Sequence, residues 1–150
     1  MKKFWIFFLL IWCVGCMTVK IPKYLKDEFP YKHKFYASFD DTLDATIQAL
    51  NDSGWKVADT SHPAVFEQGI ARSDVENKQI LLFTDVRQTP LLLSSRYMSL
   101  NVYIFSSDET TDVEVRYMAV TPVLFRSAET YKNDPVVNKV FDRIETILEK

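Results

Sequence analysis

Two cysteines separated by two residues are the first candidates for chemistry in this 150-residue chain. A Cys-x-x-Cys pair can exchange disulfides or bind a metal when it lies in a folded, polar setting. Here Cys13 and Cys16 instead follow residues 4–12, FWIFFLLIW, an unbroken apolar run after the basic start MKK. Because this setting is typical of an export segment, we expect neither a redox site nor a metal site at the pair.

The first fifteen residues have the layout of a secretory signal peptide. A basic start, an apolar run of 7–15 residues and a small residue before the cut define such a segment, and Gly15 supplies the small residue. The apolar stretch from residue 4 to 19 has 16 residues, fewer than the roughly 18–20 that cross a bilayer. An uncleaved membrane anchor is the alternative interpretation of the same segment.

The tetrapeptide Cys13-Val14-Gly15-Cys16 resembles the lipobox of bacterial lipoproteins, whose usual form is Leu-(Ala/Ser/Val)-(Gly/Ala)-Cys. Val14 and Gly15 match that pattern, whereas Cys13 stands where leucine is usual. The resemblance implies that Cys16 receives a diacylglycerol on its sulfur and that cleavage before Cys16 removes residues 1–15. The mature protein would then be lipid-anchored on the extracytoplasmic face of a cell membrane or outer membrane. Met17 resembles the residue at this position in lipoproteins sent to the outer membrane.

Residues 16–34 are expected to form the lipidated N-terminus and an extended tether. Residues 17–34 contain two prolines, five lysines and two acidic residues, and no apolar period persists through them. Near an anionic lipid surface each lysine could contribute roughly 1 kcal/mol of attraction. A solvated spacer is the simpler interpretation.

Residues 35–150 are expected to form a single α+β domain. Hydrophobic residues make up 47% of the chain and charged residues 25%, the mixture of an ordinary globular protein. A net charge of −2 argues against nucleic acid as a partner, because nucleic-acid-binding domains are usually basic. Only three glycines are present, and no glycine-rich phosphate-binding motif is found.

Periodic apolar residues predict two helices and an antiparallel sheet. One helix is expected from Ser38 or Asp40 to about Asp52 and to end at Gly54. A second is expected to begin at Asp134-Pro135 and to run to the C-terminus. Strands are expected at 34–39, from 55, at 66–72, 79–86, 98–104 and 113–117, the last two forming a hairpin. Both helices should pack on one sheet face, as in a helix-grip fold.

The segment SFDDTLDATIQALNDSGWKVADT, residues 38–60, is similar in pattern to the repeat domains of BamC-type outer-membrane assembly lipoproteins. In those domains too a strand leads into a helix that ends in Leu-x-x-x-Gly-aromatic, and a strand follows. The resemblance implies a helix-grip-like domain in a cell envelope.

Two similar segments are the candidate partner surface. Residues 89–94, TPLLLS, and 121–126, TPVLFR, each place large apolar residues directly after a proline. If these residues are exposed together, they mark a contact site for a partner or for lipid; if they are buried, they extend the core. The candidate residues are Leu91, Leu92, Leu93, Val123, Leu124 and Phe125.

Catalytic chemistry is not expected. His33 falls in the tether segment, and His62 lies three residues after Asp59, a spacing that arises by chance in many domains. No metal-ligand spacing or cofactor motif is present. We therefore expect a non-enzymatic interaction or scaffolding domain without a cofactor. The alternative is a carrier of an apolar ligand in a cleft between sheet and helices, lined by Phe83, Tyr97, Tyr103, Phe105 and Tyr117.

Overall fold

A computed structural model describes residues 19–66, 78–92, 94–107, 109–123 and 126–150. Within these residues the chain has an α+β fold, an open seven-stranded antiparallel sheet with two helices. A short 3-10 turn, Pro63–Val65, follows the second strand. In chain order the elements are β1 (Tyr31–Phe35), α1 (Phe39–Asp52), β2 (Val57–Ser61), β3 (Gln79–Thr84), β4 (Arg87–Pro90), β5 (Ser95–Ser107), β6 (Thr110–Val123), β7 (Arg126–Thr130) and α2 (Asp134–Leu148).

The long hairpin of β5 and β6 is the centre of the sheet. It pairs without interruption from Tyr97 opposite Val120 to Ser107 opposite Thr110. β1 and β7 share the outer edge of β6, while β3 and β4 share the outer edge of β5, and β2 lies beyond β3. β4 and β7 therefore flank the open ends of the hairpin, and β1 and β3 flank the part near its turn.

The helices cover one face of the sheet, as the apolar pattern predicts. Alternate residues of β5 and β6 point toward α1 and α2 and form the main core with them. Beyond Met98 and Ala119 the same face carries Arg96 and Thr121, whose side chains form a 3.4 Å hydrogen bond, so the core ends there. The strand residues of this core are Leu82, Met98, Leu100, Val102, Ile104, Val113, Val115, Tyr117 and Ala119.

The ends of the helices follow from local side chains. Ser38 Oγ accepts a 3.1 Å hydrogen bond from the backbone N–H of Asp41, so Ser38 is the N-cap of α1. The N-cap of α2 is Asn133, one residue before the expected Asp134, because the Asn133 side chain accepts from the N–H of Val136. Pro135 lies in the first turn, where its missing N–H costs no hydrogen bond.

Gly54 ends α1 with a left-handed backbone, φ +80°. We expect Gly54→Ala to lower the free energy of unfolding by about 1–2 kcal/mol, because a Cβ is strained in this conformation. The added Cβ would also lie 3.3 Å from the Arg87 guanidinium. Urea unfolding of the two proteins measures the difference. An unchanged or higher free energy of unfolding for Gly54→Ala would show that a Cβ is not strained at this position.

The N-terminal part of the domain differs from the expectation. The first strand runs from Tyr31 to Phe35 rather than from residue 34 to 39. Tyr31 and Phe35 pack against the core. Between them, Lys32 and Lys34 pair with Glu114 and Asp112 of β6. Residues 19–30, expected in the tether, lie against the sheet face opposite the helices. We call residues 19–30 the N-terminal strap. In the strand expected at 66–72, Phe66 instead ends the 3-10 turn, and residues 67–72 lie outside the described part.

Candidate interaction surface

The N-terminal strap is fixed to the sheet by a buried leucine. Leu25 is 1% exposed and packs with Met118 and Val120 of β6. Val19 and Ile21 pack against the same cluster. The strap is therefore part of the folded domain from its first described residue.

Asn101 of β5 holds the strap by its backbone. Its Oδ1 accepts a 2.6 Å hydrogen bond from the N–H of Leu25, and its Nδ2 donates to the Lys23 carbonyl at 3.1 Å. The Asn101 amide thus satisfies strap backbone groups that would otherwise be buried without hydrogen bonds, which is costly.

Below the strap lies a buried ion pair between Glu114 and Arg116 of β6. Arg116 Nε donates to Glu114 Oε1 at 2.7 Å, and another guanidinium nitrogen lies 2.6 Å from the same oxygen. Arg116 also donates to the Tyr24 hydroxyl at 2.6 Å and to the Leu25 carbonyl at 3.3 Å. Lys32 lies 3.4 Å from Glu114. The strap therefore both covers this pair and supplies part of its hydrogen bonding.

These polar residues were not identified from the sequence. The alternation of Glu114 and Arg116 with valines in β6 is typical of a strand with one solvated face. The sequence feature that could have indicated their burial is the apolar pair Tyr24 and Leu25 in the lysine-rich segment, because these two residues cover them.

The aromatic side chains proposed for a ligand cleft lie on both faces of the sheet. Tyr117 belongs to the core under the helices, whereas Phe83, Tyr103 and Phe105 belong to a cluster on the strap face. Tyr97 is on the strap face as well, beside Val19 and Ile21. These five residues therefore do not line one pocket between sheet and helices.

The two apolar segments meet at one end of the sheet. Pro90 pairs with Ser95, so the β4–β5 turn is closed at residues 91–94, where the N–H of Leu91 donates to the Ser94 carbonyl. Val123 pairs with Arg126 at the neighbouring β6–β7 turn. We call β4, β7, the adjoining ends of β5 and β6 and the turn residues Leu91, Leu92 and Ser94 the hairpin end.

Large apolar side chains are exposed at the hairpin end. Leu92 is 96% exposed, Val123 45% and Leu91 42%. The remaining candidates, Leu93, Leu124 and Phe125, lie outside the described residues. The structure thus brings the two predicted segments to one end and exposes the three candidate side chains that it describes.

The strap starts beside the hairpin end. Val19, Lys20, Ile21 and Pro22 line an open depression of about 620 Å³ together with Val86 and Tyr97. Tyr97 pairs with Val120, three residues before Val123. The candidate lipidation and cleavage residues, Cys16 and Gly15, lie outside the described residues.

Asp59 and His62 each form a hydrogen bond with a different partner. The Lys23 ammonium donates to Asp59, and this hydrogen bond holds the pKa of the carboxyl below its usual value. His62 Nδ1 accepts from the N–H of Ala64 at 3.2 Å and caps the 3-10 turn. The His33 ring packs on Phe35 of the same strand. Among the described residues no cluster of three or more His, Cys, Asp or Glu side chains could bind a metal ion.

No protein-family model matches the chain, and no curated protein matches it. In the part of the chain that the structure covers, neither helix has the length and apolar character needed to cross a membrane.

Proposed function

We propose that this chain is a lipoprotein of the cell envelope, with a small interaction or scaffolding domain held on the extracytoplasmic side by lipid on Cys16. The observation that carries the proposal is the sequence MKKFWIFFLLIWCVGC, in which a basic start and an apolar run precede a lipobox-like tetrapeptide. A finer classification of the domain as helix-grip-like, similar to BamC-type domains, belongs to the same proposal.

The chemistry of Cys16 suits this role. A thiolate is a good nucleophile toward a lipid donor, and each buried methylene of an acyl chain contributes about 0.8 kcal/mol to membrane binding. One chain holds a protein only marginally, whereas the two or three chains of a lipidated N-terminal cysteine hold it stably.

The surface of the domain supports an interaction role. The buried side chains of Asn101 and Arg116 form hydrogen bonds with the strap, and Glu114 pairs with Arg116. Exposed apolar side chains gather at the hairpin end, and such patches commonly mark contacts with a partner or with a lipid surface.

Mass spectrometry of the membrane-extracted protein tests the anchor. We expect the wild-type chain to begin at Cys16 and to carry a diacylglycerol mass. Cys16→Ser should abolish both cleavage and lipid attachment, because serine offers no thiolate. The membrane-bound fraction of both proteins is measured in parallel.

Cys13→Ser is the matched control, since Cys13 would be removed with the signal peptide. We expect this variant to be cleaved and lipidated like the wild type. A wild-type protein that retains residues 1–15 and carries no lipid would disprove the proposal.

A further inference from the structure

We propose that the hairpin end is the membrane-facing end of the domain, with Leu91, Leu92 and Val123 in contact with the bilayer that holds the lipid of Cys16. This orientation rests on the lipid anchor proposed above. It assigns the exposed apolar side chains to a lipid surface rather than to a protein partner.

The chain enters the domain close to the hairpin end. Cys16 lies three residues before Val19, so its Cα is within about 11 Å of the Val19 Cα even when the chain is fully extended. Val19 packs in the cluster of Met118 and Val120. Along β6, Val123 is three residues beyond Val120, a rise of about 10 Å.

These distances limit where the membrane can be. The two distances add to about 21 Å, and the contact of Val19 with the Met118 and Val120 cluster lies between them. A lipid on Cys16 therefore keeps the start of the strap, and with it the neighbouring hairpin end, close to the bilayer surface.

The side chains at this end suit a lipid surface. Leu92 is almost fully exposed, and Leu91 and Val123 are each more than 40% exposed. Fully burying a leucine or valine side chain contributes about 1.5–3 kcal/mol. Insertion of these residues between lipid headgroups would recover part of that free energy without disturbing the core, because the core ends at Met98 and Ala119.

The charge distribution points the same way. The hairpin end contains three arginines, Arg87, Arg96 and Arg126, and one carboxylate, Glu129 of β7, which accepts a hydrogen bond from the Tyr131 hydroxyl. Lys20 lines the adjoining depression. Basic residues at an anionic lipid surface contribute about 1 kcal/mol each.

The opposite end of the domain is acidic. The turn between β5 and β6 meets the start of α1, where Thr111 Oγ1 donates to the Ala37 carbonyl at 3.0 Å. This end carries four carboxylates, Asp40, Asp41, Glu109 and Asp112, and two lysines, Lys34 opposite Asp112 and Lys78 in an ion pair with Asp40. An anionic bilayer would attract the hairpin end and repel the acidic end, so both effects favour one orientation.

Site-directed fluorescence tests the orientation. The lipidated wild-type chain would have no free thiol, because its one remaining cysteine carries the lipid, so a single introduced cysteine can be labelled. Leu92→Cys places a polarity-sensitive fluorophore at the hairpin end, and Tyr36→Cys places it beside Ala37 on a residue that is 88% exposed. Each full-length protein is reconstituted into vesicles of phosphatidylethanolamine and phosphatidylglycerol.

We expect a blue-shifted emission and a several-fold loss of iodide quenching for the label at position 92, and neither change at position 36. The mass spectrum of the same samples reports whether lipid is attached. If the protein is lipidated and both labels are quenched equally, the orientation is wrong while the lipid anchor stands. If no lipid is attached, the anchor and the orientation both fail. Shielding of position 92 that requires added envelope proteins would assign the surface to a protein partner and overturn the orientation.

Discussion

Replacing Glu114 with leucine is expected to lower the free energy of unfolding by about 3–5 kcal/mol, because it removes a carboxylate that is paired with the buried Arg116 guanidinium. Arg116 is held beneath the strap by Tyr24 and Leu25, so it cannot turn to solvent without displacing them. Urea unfolding of a chain that lacks residues 1–16, followed by tryptophan fluorescence, measures the loss.

Two companion variants separate the ion pair from a general effect of leucine in a strand. Glu129→Leu on the exposed strand β7 should change the stability by less than about 0.5 kcal/mol. The double replacement of Glu114 and Arg116 by leucine should recover much of the loss, because it removes both charges from the buried site. A Glu114→Leu protein as stable as Glu129→Leu would show that the pair contributes nothing.

The second large effect is expected at Leu25. Leu25→Ala should lower the free energy of unfolding by about 2–5 kcal/mol, because it removes a buried side chain and leaves a cavity. Leu25 is 1% exposed between the strap and Met118 and Val120. The same unfolding measurement applies, with hydrogen exchange at the Leu25 amide, which donates to Asn101, as a local readout.

Leu92→Ala is the matched control, since it makes the same chemical change at a side chain that is 96% exposed. We expect its effect on stability to stay within about 0.5 kcal/mol. If residues 17–34 were a free tether, Leu25→Ala would be equally silent. Equal stabilities of the two variants would therefore indicate that the strap is an extended tether, as its sequence predicts.

The parts of the fold that could be predicted depend on short-range signals. Ser38, Gly54 and the Leu43, Ile47 and Leu50 spacing define α1 within a few turns of helix. The alternation of residues 98–104 and 113–117 defines the central hairpin in the same way. Such signals are local in the sequence, so the α+β class was accessible without a structure.

The strap could not be predicted, because its contacts span long distances in the sequence. Leu25 lies next to Lys26 and close to Pro22, a composition that indicates a linker. Its partners, Asn101 and Arg116, lie 76 and 91 residues away. A polar residue on a strand gives no sign of which distant segment covers it.

The candidate surface was predictable only in part. The likeness of residues 89–94 and 121–126 identified both turns, but their proximity depends on the strand register, which pairs Tyr97 with Val120. The proximity of Val19 to the same end depends on the strap. The sequence therefore supplied the side chains, while their arrangement at one end required the fold.

Docking of the strap changes how far a lipid-anchored domain could explore. A flexible segment of 18 residues has a root-mean-square span of about 24 Å, whereas the three residues from Cys16 to Val19 extend at most about 11 Å. The volume accessible to the domain around its anchor is thus smaller by roughly tenfold. The start of the strap would remain within about 11 Å of its anchor, so a protein that binds the domain would meet it at the membrane surface.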